Sequence, residues 1–328
     1  MSFFRRSSHL FRILSGAGQQ QITAQSNRNI ARWVSPTLKE IKRRKDKLPK
    51  KPVNRTTFVE WNWHAELFAY SKRLTEDFNL ELLQEAFTTR SYIEQEERKQ
   101  QNVGINNPVT NLKDNSELAV IGADLLSTHV ENFISSHLPK LPAAGVRSVR
   151  DYLLNDEMLA HIARHLGTRD LVLASEFPCD VPTLAAAFKA VIGALYKSSG
   201  NDRTFAFIRD FVCTQLNQKD VDSMWEIERP FEMLQEYCKN NGLAEPEPRL
   251  LNDAAKNTIY ATYQVGIYTD RKYIAAGFGE DIDTAIFVAA LNSLKKFYDI
   301  ANPRPYDFAV TLKEMEEKME QNRRKVET

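Results

Sequence analysis

Apolar positions recur every three or four residues through most of the chain from Trp61 to Phe211. Leu80, Leu83 and Phe87 share one helical face, Leu118, Ile121 and Leu125 another, and Leu184, Phe188, Val191, Ile192 and Leu195 a longer third. A fourth helix is predicted over 202–216, with Asn201 as its cap and Phe205, Ile208, Phe211 and Val212 turned one way. Strand-type alternation is missing, so this region reads as an all-helical bundle.

After Pro230 the pattern changes. A helix over 231–240 ends before Gly242, a residue that tolerates the positive φ of a C-terminal cap. Residues 258–265 and 272–276 are rich in Tyr, Thr, Ile and Val and read as strands, with Thr269 to Arg271 as the turn between them. Helix returns over 281–298, through Ala285, Val288, Ala289, Leu291, Leu294 and Phe297. The last stretch, 312–326, is a charged helix with few apolar positions, expected to be a solvated or partner-bound appendage.

Composition changes this picture mainly through charge. The 328 residues are 42% hydrophobic, enough to fill a core in about two domains, and their net charge is only +1. That balance hides an asymmetry. Residues 1–55 carry 14 basic and 2 acidic side chains, a net +12, which leaves −11 on residues 56–328. Three cysteines, Cys179, Cys213 and Cys238, cannot close a disulfide set and include no C-x-x-C spacing for zinc. No apolar run approaches the roughly 20 residues of a membrane-crossing helix, so a soluble chain with no membrane partner is expected.

The basic part has two sections. Residues 1–38 hold no Asp or Glu, and Arg5, Arg6, Arg12, Arg28 and Arg32 are set among Ser, Gln and apolar residues, the composition of a mitochondrial transit peptide. A disordered basic tail of a nuclear or cytosolic protein is the alternative reading. Residues 39–55 carry nine basic and two acidic side chains with two prolines and are expected to form an extended, solvated arm. Its candidate phosphate contacts are Lys42, Arg43, Arg44, Lys45, Lys47, Lys50 and Lys51, each of which could displace counterions from RNA. A solubilising linker would have the same composition.

Three strings carry a family resemblance: LLQEAFTTRSY at 82–92, NSELAVIGAD at 115–124 and LAAAFKAVIGALYKSSG at 184–200. In order and spacing they resemble the ribonuclease III endonuclease domain. PFEMLQEY from Pro230, TYQVGIY from Thr262 and the GFG of Gly277 to Gly279 resemble its companion, the double-stranded-RNA-binding domain. With the mitochondrial-type leader, the whole is similar to the ribonuclease-III-like proteins of the mitochondrial large ribosomal subunit. The resemblance implies a mainly α chain: an all-helical ribonuclease-III-like domain at 59–222, then a small α+β domain of α-β-β-β-α order at 228–301. A transit peptide at 1–38, a basic linker at 39–58 and a charged tail at 302–328 complete the expected organisation.

The resemblance also allows a test of chemistry. The resemblance implies phosphodiester cleavage by divalent cations, and magnesium prefers carboxylate oxygens. The family's carboxylates align with Ser116, Ala119 and Ala123 in the second string and with Ala186 and Lys189 in the third, so all are replaced. An ammonium at Lys189 repels a dication. Asp124 and Glu117 lie one and two positions from the matching sites, which on a helix turns them about 100° and 200° away. The expectation is a retained fold with no metal, no cofactor and no nuclease activity.

In the RNA-binding-like domain, Ile282, Asp283 and Ile286 stand where the family's lysine cluster would be, and the loop NDAAKN lacks its Gly-Pro-x-His. Gln235 and Glu236 do match the first-helix pattern, which leaves Gln235 as a candidate RNA contact. The implied role is structural, binding ribosomal RNA and other mitochondrial ribosomal proteins in the matrix, with pairing through the ribonuclease-III-like domain also open. The competing expectation is an endoribonuclease or RNA-processing factor outside the ribosome. Weaker candidates are His161 with His165 as a metal pair, Trp61 and Trp63 as stacking platforms, and Ser198 and Ser199 as nucleophiles; all are expected to be structural.

Overall fold

The computed structural model describes residues 36–47, 55, 58–104, 112–256, 258–301 and 305–327. The chain forms two compact units, residues 1–53 and residues 54–328. Most of the expected transit peptide lies outside the described residues, as do Lys50 and Lys51 of the basic arm.

In the first unit, α1 (Pro36–Lys47) is helical, whereas an extended segment was expected from the charge density. Proline at the first helical position needs no N–H partner. Glu40 pairs with Arg43 at 3.0 Å and with Arg44 at 3.2 Å, one turn along the same face. Lys, Arg and Glu are good helix formers, and the two prolines that suggested extension lie beyond the helix end.

The second unit begins with helices α2 (Trp63–Leu74), α3 (Leu80–Phe87), α4 (Arg90–Asn102), α5 (Ser116–His137), α6 (Ala143–Leu154), α7 (Asp156–Leu166), α8 (Val181–Ser199) and α9 (Asn201–Phe211). Asn62, Asn79 and Asn155 cap α2, α3 and α7 by accepting from backbone N–H groups of the first turn. The centre of the bundle is the α5–α8 crossing. A Cβ at Gly122 would lie 1.8 Å from the Lys189 carbonyl oxygen, and one at Gly193 would lie 2.2 Å from that of Leu118, so the two backbones touch at glycines. The buried face of α5 runs through Leu118, Gly122, Leu126 and Val130, leaving Ile121 and Leu125 half-buried, because this seam follows i,i+4 spacing. On α8 the five expected residues, Leu184, Phe188, Val191, Ile192 and Leu195, are all buried. Asn201 does not cap α9; its amide oxygen instead accepts from His129 Nε2 at 2.9 Å, tying α9 to α5.

Next come α10 (Pro230–Asn240), an antiparallel sheet β1 (Glu247–Ala254), β2 (Thr262–Thr269) and β3 (Lys272–Gly279), and α11 (Ile282–Phe297), in the expected α-β-β-β-α order. A Cβ on Gly277 would meet the backbone of Ala289 at 2.2 Å, so glycine lets α11 lie directly on β3. Asp270 and Arg271, with φ of 52° and 65°, form the predicted turn. The second strand starts at Thr262 rather than Thr258: Ile259 and Tyr260 stand in the loop, exposed, and have no partner strand to pack on.

The C-terminal helix α12 (Leu312–Glu327) is not a solvated appendage at its start. Val310, Leu312 and Met315 are buried, Phe308 stacks on Phe133 of α5 at 5.9 Å, and Arg209 of α9 donates to the Val310 carbonyl at 2.8 Å. A few apolar side chains at close spacing anchor an otherwise charged helix.

Candidate metal centre and nucleic-acid interface

The α5–α8 crossing brings the two motif helices together, since Gly122 lies against the backbone of Lys189. Ala119, Ala123, Ala186 and Lys189 are half-buried around it, and Ser116 is exposed at the start of α5. Lys189 Nζ reaches Asp156 Oδ1 at 2.9 Å, at the first position of α7. Asp156, which the motifs did not identify, is thus an ion-pair partner of Lys189, one of these five positions. Nothing in the strings points to it, because it lies 33 residues away in the chain.

Neighbouring acids do not supply the missing ligands. Glu117 pairs with Lys197 at 3.2 Å, and Asp124 is exposed. Among the described residues, no group of three or more His, Cys, Asp or Glu side chains is gathered as a metal site. Methyl groups, one hydroxyl and an ammonium whose partner carboxylate is already engaged do not fit a pair of magnesium ions.

In the RNA-binding-like domain, the positions where the resemblance led us to expect a lysine cluster carry no cation. Ile282 and Asp283 are exposed and Ile286 half-buried in the first turns of α11, and Glu280 and Asp281 precede them. Duplex phosphates would meet carboxylates here. Gln235 and Glu236 are exposed on α10, available for contact. In the β1–β2 loop, Lys256 is engaged by Asp253 at 2.5 Å.

The basic helix α1 shows the opposite electrostatics. Lys42, Arg43, Arg44, Lys45 and Lys47 are all exposed, with Glu40 shared by the two arginines. Twelve residues make a rod about 18 Å long. Lys50 and Lys51 fall outside the described residues.

The remaining candidates lie in the second unit. Trp63 donates its indole N–H to the Leu171 carbonyl at 3.0 Å, and both Trp61 and Trp63 pack against the core. His161 and His165 are exposed, ring against ring at 4.4 Å, with no third ligand among the described residues. Ser198 donates to the Ala194 carbonyl and accepts from Asn79 N–H, while Ser199 donates to the Asp77 carbonyl, joining the end of α8 to the start of α3. Cys213 and Cys238 are buried thiols and Cys179 is half-buried. Burial pushes Cys213 up to about 12, so it stays protonated.

Two family descriptions match the chain: "Large ribosomal subunit protein mL44, endonuclease domain" over residues 62–195 and "MRPL44 dsRNA-binding domain" over residues 225–328. Large ribosomal subunit protein mL44 of Caenorhabditis elegans is 29% identical over 303 residues, covering 89% of this chain and 74% of its own length. The protein of the same description from Neurospora crassa is 28% identical over 110 residues, 34% of this chain and 25% of its own. Ribonuclease 3 of Bacillus velezensis is 25% identical over 191 residues, 56% of this chain and 71% of its own. Helical bundle and sheet domain are thus matched, in order, by two parts of one family, and the chain belongs to the mL44 family.

Proposed function

We propose that this chain is a structural component of the mitochondrial large ribosomal subunit, located in the matrix, which binds ribosomal RNA and neighbouring ribosomal proteins and supports assembly of the subunit without cutting RNA. The observation that carries this reading is the pair of mL44 matches over both folded parts. The α5–α8 crossing supports the absence of cleavage: it offers alanines and the Lys189–Asp156 pair where a hydrolytic site would need several free carboxylates.

The segment containing Lys42, Arg43, Arg44, Lys45, Lys47, Lys50 and Lys51 supplies electrostatic affinity for RNA, with Gln235 as a lesser contact on the acidic body. Replacing the five α1 cations by alanine should weaken RNA association and reduce the slope of log affinity against log salt by roughly 0.7–0.9 for each phosphate that is no longer neutralised. Unchanged affinity and slope would refute the arm as an RNA-binding element. Sedimentation of mitochondrial extract tests the assignment as a whole: the chain should travel with the large subunit at high salt. A free pool with magnesium-dependent cleavage of duplex RNA would replace this reading with that of a processing enzyme.

A further inference from the structure

The acidic body has a groove that RNA binding does not explain. Residues 222–228 run beside α11 and enclose with it a cavity of about 450 Å³. Its apolar lining includes Trp225, Ile227, Phe287, Leu291 and Tyr298. Phe287 is 41% exposed on a helix whose next turns are well packed, so the groove is open at that point. Lys295 is its only cation among the lining residues, and Asp222 neutralises it at 2.5 Å. Glu226 and Glu228 are exposed on the rim and make no ion pair among the described residues. Asp283, one turn before Phe287, extends the negative edge.

We propose that this groove is a docking site for a basic, amphipathic protein segment, which inserts apolar side chains over Phe287 and Leu291 and sets Lys or Arg against Glu226 and Glu228. Charge selects the occupant. Nucleic acid would carry phosphates towards two unpaired carboxylates, and an acidic or purely apolar segment would leave them without compensation. A cationic segment satisfies the rim, and an aromatic floor gives its apolar face a place to bury. In the α11 turn where the family's RNA-binding domain places lysines, this chain has Ile282 and Asp283, so the helix is suited to a protein partner. The proposal uses none of the α1 cations and stands whether or not these bind RNA.

The test uses the purified full chain and two labelled amphipathic peptides of about 18 residues, about 27 Å as helices. They share one leucine pattern and carry either lysine or glutamate at the polar positions. By fluorescence anisotropy the lysine peptide should bind at least about tenfold more tightly than the glutamate one. The Glu226→Lys/Glu228→Lys variant should lose about tenfold for the lysine peptide, and Phe287→Asp should lose a similar factor. The acidic Glu245→Lys change on the exposed α10–β1 loop should leave binding in place. These positions are at the surface, and circular dichroism verifies that each variant is folded. Equal binding of both peptides, or lysine-peptide binding indifferent to the groove variants, overturns the proposal. So does a labelled RNA duplex whose affinity falls about tenfold with Phe287→Ala, since this would reassign the groove to RNA.

Discussion

Gly122→Ala is the sharpest probe of the α5–α8 crossing on which the bundle is built. The added methyl would stand 1.8 Å from the Lys189 carbonyl oxygen and 2.7 Å from its carbon. Tolerated C···O approaches begin near about 3.3 Å, so the helices must part by roughly 1.5 Å. The obstructing atoms are backbone on both sides, and no rotamer change relieves the clash. Parting them loosens the packing along the buried seam that includes Leu118, Leu126, Phe188 and Ile192. Overpacking in a core costs about 1–3 kcal/mol, and a backbone clash belongs at the upper end. Alanine regains about 1 kcal/mol in helix propensity, leaving a net loss of about 2 kcal/mol. In thermal denaturation this is a fall in Tm of about 4–8 °C. Gly193→Ala, 2.2 Å from the Leu118 carbonyl oxygen, should behave alike. The double variant should cost less than the sum, because both open the same seam. A Gly122→Ala protein with unchanged or raised Tm would show that the helices do not touch there.

Met315→Ala should destabilise the body by about 2–3 kcal/mol in urea denaturation, as for a buried methionine, and expose the 305–311 region to protease; a change below about 0.5 kcal/mol would mean that the tail is solvated after all. His129 is buried with Nδ1 unpartnered, and burial holds its pKa below the ordinary 6.5, outweighing the upward pull of Asn201 and Glu316. The unfolded chain therefore takes up the proton first, so stability is full above about pH 6.5 and falls as pH drops towards the lowered folded value. His129→Gln should flatten that fall below about pH 6.5 in urea titrations, and an unchanged pH slope would remove His129 as its cause. Placing acids at the positions that the resemblance to ribonuclease III marks for them, through Ser116→Glu, Ala119→Glu, Ala123→Asp, Ala186→Asp and Lys189→Glu together, should create manganese binding detectable by calorimetry. No heat of binding in a folded variant would mean that replacement of these side chains is not what bars the metal.

The periodicity of apolar residues was sufficient to place the helical bundle and the following α+β region, because burial of one helical face or one strand face is written directly into residue spacing. The second and third motif strings lie almost wholly within single helices, α5 and α8, so their spacing along the chain carries over directly to the structure. Other features depend on meetings between distant parts of the chain. The i,i+4 seam of α5, the exchange of Asn201 from cap to His129 partner, and the Lys189–Asp156 pair each join residues whose proximity no local pattern encodes. The helical state of α1 was obscured by its charge, which suggested extension although the Glu40 pairs and residue propensities favour a helix. The anchoring of α12 likewise follows from three apolar side chains finding a surface on α5 and α9. Sequence by itself determined the fold class and the order of the two folded parts; the folded chain decided which residues meet, because proximity across a core depends on how helices cross and not on what each helix contains.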